Sequence, residues 1–237
     1  VSRSGVSPER SADEYALFME AAFERASRSG GKGQVDSVWI SSVVPALTPR
    51  LCEAAKTAFG VEANIVGPGT RTGVKLRTDF PTEVGSDLVC SVAAARELLG
   101  CPCLVLSFGT VLAISAVDAG GDFVGAAFAP GMATAAESLR GSAAQIPEVR
   151  LLRPERAIGR STVQSVQSGI FYGYGGLVSR LVERMSAELS PTGGGVRVVG
   201  TGAEEGRSLL AAEGLGVFIP DLVLEGLAII AGRPPRV

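Results

Sequence analysis

Three apolar runs, residues 103–108, 111–117 and 123–128, are separated by tight turn signals and constrain this chain more than any other feature. Gly109-Thr110 joins the first to the second, and Ala119-Gly120-Gly121-Asp122 leads into the third, so the three read as strands in a meander. Helices then take over: Ala129-Pro130-Gly131 opens one, and Thr162 opens a longer one running to about residue 189. A break at Pro191-Thr192-Gly193-Gly194-Gly195 precedes a strand over 196–199, a helix over 204–212, a strand over 217–219 and a last helix from about Leu222. Neighbouring antiparallel strands followed by helix-linked strands predict mixed sheets rather than a purely parallel one.

The first half alternates helix and strand. Ser11-Ala12-Asp13-Glu14 has the form of a helix entry, after which Tyr15, Phe18, Met19, Ala22, Phe23 and Ala26 share one stripe. Gly30-Gly31-Lys32-Gly33 ends that unit. Strands follow over 35–44 and 61–66, with a helix over 49–59 between them, and a third helix covers 88–99. The predicted division is 1–101, 102–221 and a C-terminal helix over 222–237.

Composition narrows the function. With 46% hydrophobic and 19% charged residues among 237, the chain can bury a sizeable core. A net charge of −2 without a basic cluster recommends neither nucleic acid nor an anionic membrane as partner. No apolar run approaches the roughly 18–20 residues that span a bilayer, and no signal-peptide pattern opens the chain, so a cytoplasmic location is expected. The absence of histidine excludes Ser-His-Asp and Cys-His nucleophilic sites, leaving acid–base work to Asp, Glu, Lys, Tyr or Cys. Cys101 and Cys103, two apart at a strand start, read as a buried reduced pair in preference to a metal or disulfide site.

Asp87 is the leading candidate for chemistry. It closes Thr78-Asp79-Phe80-Pro81-Thr82-Glu83-Val84-Gly85-Ser86-Asp87, and twenty residues on the chain reads Ser107-Phe108-Gly109-Thr110 at a strand end. A carboxylate at a helix start with a Gly-Thr strand end can place a proton acceptor beside a phosphate cradle, as phosphoryl transfer requires. Asp87 also reads as a helix N-cap, as does Thr162, and Arg160 reads as an anion contact or a surface ion pair. Gly200, Gly202 and Gly206 have the wrong spacing for a dinucleotide fingerprint.

Taken in order, Ile40-Ser41-Ser42-Val43-Val44-Pro45, Val66-Gly67-Pro68-Gly69, the Asp87 segment, Phe108-Gly109-Thr110, Ala129-Pro130-Gly131, Ile158-Gly159-Arg160-Ser161-Thr162, Gln167-Ser168-Gly169 and Pro220-Asp221-Leu222 resemble the type III pantothenate kinases. The resemblance implies a ribonuclease-H-like α/β fold of the actin, Hsp70 and sugar-kinase type, with two domains and mixed sheets. It implies transfer of the ATP γ-phosphate to the hydroxyl of pantothenate, the first step of coenzyme A synthesis. A divalent cation (Mg²⁺), a monovalent cation (K⁺ or NH₄⁺) and a dimeric assembly come with it. By position, Asp87 is the proton acceptor, Gly85 and Ser86 belong to the substrate loop, and Thr162 reaches pantothenate. Gly109 and Thr110 meet the nucleotide phosphates, and Gly200-Thr201-Gly202 matches the adenosine-side loop, so Gly202 is an ATP contact.

The departures are as specific as the matches. The family's opening Asp-x-Gly-Asn-Thr strand has no counterpart in the sequence from Val1 onward, which predicts a first domain short of its N-terminal strands. Ser107 stands where the family carries the monovalent-cation aspartate, and Leu88 where it carries a substrate-holding arginine; Phe80 and Ser91 replace asparagines. Serine supplies no charge to a cation and leucine cannot anchor an anion, and each such lost contact costs about 3 kcal/mol of transition-state stabilisation. Three readings therefore stand: a pantothenate kinase, a catalytically impaired paralogue that partners or regulates an active one in a homodimer or heterodimer, or a binding protein on the same scaffold for another small ligand.

Overall fold

The computed structural model describes residues 1–4, 9–28, 33–143 and 145–232. Most of the predicted glycine-rich terminator at 30–33, and the last five residues of the predicted C-terminal helix segment, lie outside them. Packing divides the chain into two units, Val1–Thr70 with Gly85–Asp87, and Arg71–Val84 with Leu88–Val237.

The first unit holds helix α1 (Ala12–Ser27), strand β1 (Val38–Ile40), helix α2 (Thr48–Phe59) and strand β2 (Ala63–Ile65). α1 starts where the sequence predicts, because Ser11 and Glu14 form a capping box: Glu14 N–H donates to Ser11 Oγ at 3.2 Å, and Ser11 N–H to Glu14 Oε2 at 2.8 Å. Tyr15 and Ala16 of α1 share a small core with Leu47 and Ala54, and Phe23 meets Phe59 edge-on at 5.6 Å. β1 and β2 run parallel with Trp39 opposite Asn64. β1 is much shorter than the predicted 35–44: its only partner among the described residues is three residues long, and Val43 and Val44 beyond it are exposed.

The second unit is built on a five-stranded sheet in the order β5-β4-β3-β6-β7, comprising β3 (Cys103–Phe108), β4 (Val111–Val117), β5 (Phe123–Pro130), β6 (Arg197–Gly202) and β7 (Val217–Phe218). β3, β4 and β5 are antiparallel neighbours, whereas β6 and β7 run parallel to β3. This mixed order is the ribonuclease-H-like arrangement. Both faces of the sheet are covered, which is why β3 and β4 are almost continuously apolar. On β3, Leu104, Leu106 and Phe108 pack with Val166, Ile170, Phe171 and Val178 of helix α5 (Thr162–Leu189) and Leu209 and Leu210 of helix α6 (Glu204–Glu213). Cys103 and Val105 point the other way, toward Val92, Ala94 and Ala95 of helix α3 (Ser86–Leu99) and Leu222 of helix α7 (Leu222–Ala231). Helix α4 (Met132–Ser142) adds Met132 to the first face.

Several local expectations need correcting. α3 begins at Ser86, so Asp87 lies in its first turn and is not the cap residue. α5 is capped by Ser161, whose Oγ accepts from Gln164 N–H at 3.3 Å, which makes Thr162 the first helical residue. Gly200-Thr201-Gly202 is not a loop: these residues pair in register with Leu106, Ser107 and Phe108. The neighbouring strand supplies a ladder that overrides the low strand propensity of glycine.

Cys103 is fully buried in β3, and Cys101 is partly buried beside it. Burial, with the hydrogen-bonded Cys101 as a lesser cause, pushes the Cys103 thiol up to about 12 from 9.0. The raised value predicts that at pH 8 a native thiolate at Cys103 is far scarcer than at an ordinary cysteine. Timed iodoacetamide labelling read by peptide mass spectrometry should find Cys103 unmodified long after Cys52. Labelling of both at one rate would contradict the buried environment. The unfolded chain loses this proton first, so stability falls as pH rises from about 9 toward about 12.

Candidate functional site

Two groups of the predicted residues are assembled locally, one in each unit. In the first unit, Gly85, Ser86 and Asp87 pack with the turn that leaves β1. Ser41 Oγ and Ser86 Oγ lie 2.9 Å apart, and Ser86 Oγ is 3.4 Å from the Ser42 carbonyl oxygen, which can accept from it. Thr48 Oγ1, at the start of α2, donates to Ser42 Oγ at 2.9 Å. A Cβ on Gly85 would stand 2.5 Å from Asp87 Oδ1 and 3.2 Å from Val43 Cγ1, so the Asp87 side chain would have to turn aside to admit it. Asp87 is half-buried in the first turn of α3. Leu88, one residue on, is 8% exposed, on the buried side of α3.

In the second unit, three glycine-bearing segments converge. The β3–β4 tip at Gly109-Thr110 lies on Gly131, the cap of α4, where Gly131 N–H donates to Thr110 O at 2.8 Å and Thr134 Oγ1 donates to the same oxygen at 2.8 Å. A Cβ on Gly131 would overlap the Gly109 carbonyl oxygen. Gly202, with φ of 99°, ends β6 against the Phe108 backbone, and Ala203 N–H donates to Phe108 O at 2.8 Å. Gly206 lies against the Phe108 ring. From α5, Tyr174 Oη donates to Pro130 O at 2.7 Å and so braces the start of α4.

The result is a hollow lined by Phe108, Gly109, Gly131, Met132, Ala203, Glu205 and Gly206, with the N-termini of α4 and α6 at its rim. Helix starts present backbone N–H groups without intrahelical partners and a partial positive charge, and absent side chains let a ligand approach the backbone. Backbone exposed in this way is a surface that an anion can approach. Of the expected nucleotide contacts, Gly109 lines the hollow, Thr110 and Gly202 adjoin its lining residues in the chain, and Gly131 was read from the sequence only as a helix opener. The signal that could have found it was Pro-Gly at a strand end directly before a helix.

Thr162 is exposed at the first position of α5 and belongs to neither cluster. Ser107 Oγ is buried and has no hydrogen-bond partner among the described residues, so it offers a single neutral oxygen. Among the described residues no group of three His, Cys, Asp or Glu side chains is arranged to hold a metal ion. The donor set therefore assigns no divalent-cation ligand, and no helix among the described residues is long and apolar enough to cross a membrane.

The chain is similar to known proteins in sequence and in fold. A type III pantothenate kinase from Symbiobacterium thermophilum is 42% identical over 228 residues, covering 95% of this chain and 85% of the relative. One from Dehalococcoides mccartyi is 40% identical, covering 94% and 82%. A solved structure of a Baf family protein from Campylobacter jejuni superposes with a TM-score of 0.56 at 15% identity, covering 88% of this chain and 86% of that one, a likeness of fold. The family model for type III pantothenate kinase matches residues 2–184, and the chain belongs to that family.

Proposed function

We propose that this chain is an ATP:pantothenate phosphotransferase in which Asp87 accepts the proton of the pantothenate hydroxyl as it attacks the γ-phosphorus. The observation that carries this reading is the backbone cradle of Gly109, Gly131 and Gly202, supported by relatives named for the activity. Thr110 and the first turns of α4 and α6 hold the nucleotide phosphates, Gly202 borders the adenosine, and Gly85 and Ser86 shape the substrate loop. Thr162 contacts pantothenate in a dimer of two such chains. A divalent cation accompanies ATP and supplies charge neutralisation on the phosphates when bound. In the monovalent-cation position Ser107 contributes at most one neutral oxygen, so turnover depends weakly on K⁺ or NH₄⁺. The protein works in the cytoplasm.

Leu88 and Ser107 favour a second reading, an impaired paralogue that partners or regulates an active kinase. Purified protein given ATP, Mg²⁺ and pantothenate discriminates the two. Phosphopantothenate formation with stoichiometric ADP supports the enzyme. A chain that is silent alone but alters the turnover of an added active family member supports the partner.

A further inference from the structure

The hydroxyl groups around Ser86 form a chain for which the proposed chemistry has so far given no use. Ser41 Oγ and Ser86 Oγ share a bond at 2.9 Å in which either hydroxyl can donate. When Ser41 O–H donates, the Ser86 proton is free to reach the Ser42 carbonyl oxygen at 3.4 Å. Ser41 stands one residue beyond β1, whose ladder with β2 fixes it, while Ser42 is tied to α2 by Thr48. Ser86 opens α3 and is bonded covalently to Asp87. Both hydroxyls are half-buried, which strengthens the bond relative to one in open water.

We propose that Ser41 is a positioning residue for phosphoryl transfer: its hydroxyl holds Ser86 and thereby fixes the aim of the Asp87 carboxylate. The bond spans 45 residues and joins the turn after β1 to the first turn of α3. Gly85 makes this anchoring necessary. With no side chain of its own and a tight fit beside Asp87 and Val43, it lets the backbone approach but supplies nothing to hold the turn. The inference rests on the assignment of Asp87 as proton acceptor.

The test compares kcat and KM for wild type, Ser41→Ala, Ser41→Thr, Ser86→Ala, the Ser41→Ala/Ser86→Ala double variant and Asp87→Asn, with thermal melting of each. Ser41→Ala is expected to lower kcat about tenfold, as loss of a positioning contact does, with KM for ATP unchanged. Ser41→Thr, which keeps the hydroxyl, should restore most of the loss. The double variant should be no slower than the worse single variant, because the two residues make one bond. Three results overturn the inference while leaving Asp87 in place: Ser41→Ala within twofold of wild type when Asp87→Asn is inactive, multiplicative losses in the double variant, or a loss that tracks melting temperature alone. An active Asp87→Asn, or a wild-type chain without turnover, overturns the assignment of Asp87 and this inference with it.

Discussion

Asp87→Asn should lower kcat by about 10²- to 10⁴-fold, the range that a positioned general base contributes, while the protein stays folded. Asparagine keeps the size and the hydrogen-bonding oxygen of the side chain but cannot take a proton at neutral pH, so the change isolates proton acceptance from shape. Asp87 lies in the first turn of α3 and does not cap it, so the change also removes a charge–dipole contact worth about 0.3–1 kcal/mol. Steady-state phosphopantothenate formation and a circular-dichroism melt would be measured on the same preparation. A variant that keeps more than a tenth of wild-type turnover would remove Asp87 from the mechanism, and a variant that is unfolded would reassign it to structure.

The second large effect is expected at Gly131. Its backbone, at φ −66° and ψ 158°, suits any residue, so glycine is there for space alone. A methyl group would strike the Gly109 carbonyl oxygen and come within 2.8 Å of Thr110 O. Both belong to backbone, which cannot rotate aside as a long side chain could. Gly131→Ala must therefore displace the β3–β4 tip, at a cost of about 1–3 kcal/mol by overpacking. Because the tip carries Gly109 and Thr110, KM for ATP should rise by at least about tenfold, as misplaced binding groups do. Gly141→Ala supplies the control. That residue lies on the same helix with open space around its Cβ position, and the change should stabilise the protein by about 0.5–1 kcal/mol without touching the nucleotide. Equal behaviour of the two variants would show that the hollow is not a nucleotide cradle.

The sheet of the second unit was readable in advance wherever burial on both faces left an unbroken apolar run. The bounds of β3, β4 and α5 agree with the sequence expectation for that reason, and the start of α7 follows from Pro220-Asp221 before an apolar stretch. Glycine misled where tertiary pairing outweighs local preference. Gly200 sits in β6 because Leu210 and Phe218 close over the space its missing side chain leaves, and no local pattern announces that packing. β1 misled for the opposite reason: Val43 and Val44 look like strand residues but have no strand to pair with. The residues of each cluster were largely legible as motifs, whereas their contacts were not. The close approach of Gly131 to Gly109 is a backbone-to-backbone fit, and the Ser41–Ser86 bond joins ordinary serines 45 residues apart.

The connectivity of β3 also governs the order in which the polypeptide can organise itself. Cys103 faces Val117 on one flank and Arg197 on the other. As the ribosome extends the chain, the meander side closes almost at once through short loops, whereas the parallel side waits for nearly a hundred further residues. Throughout that interval a strand of Leu104, Val105 and Leu106 offers bare amides and carbonyls to any neighbouring nascent chain, an exposure that ends only when β6 takes its place beside it.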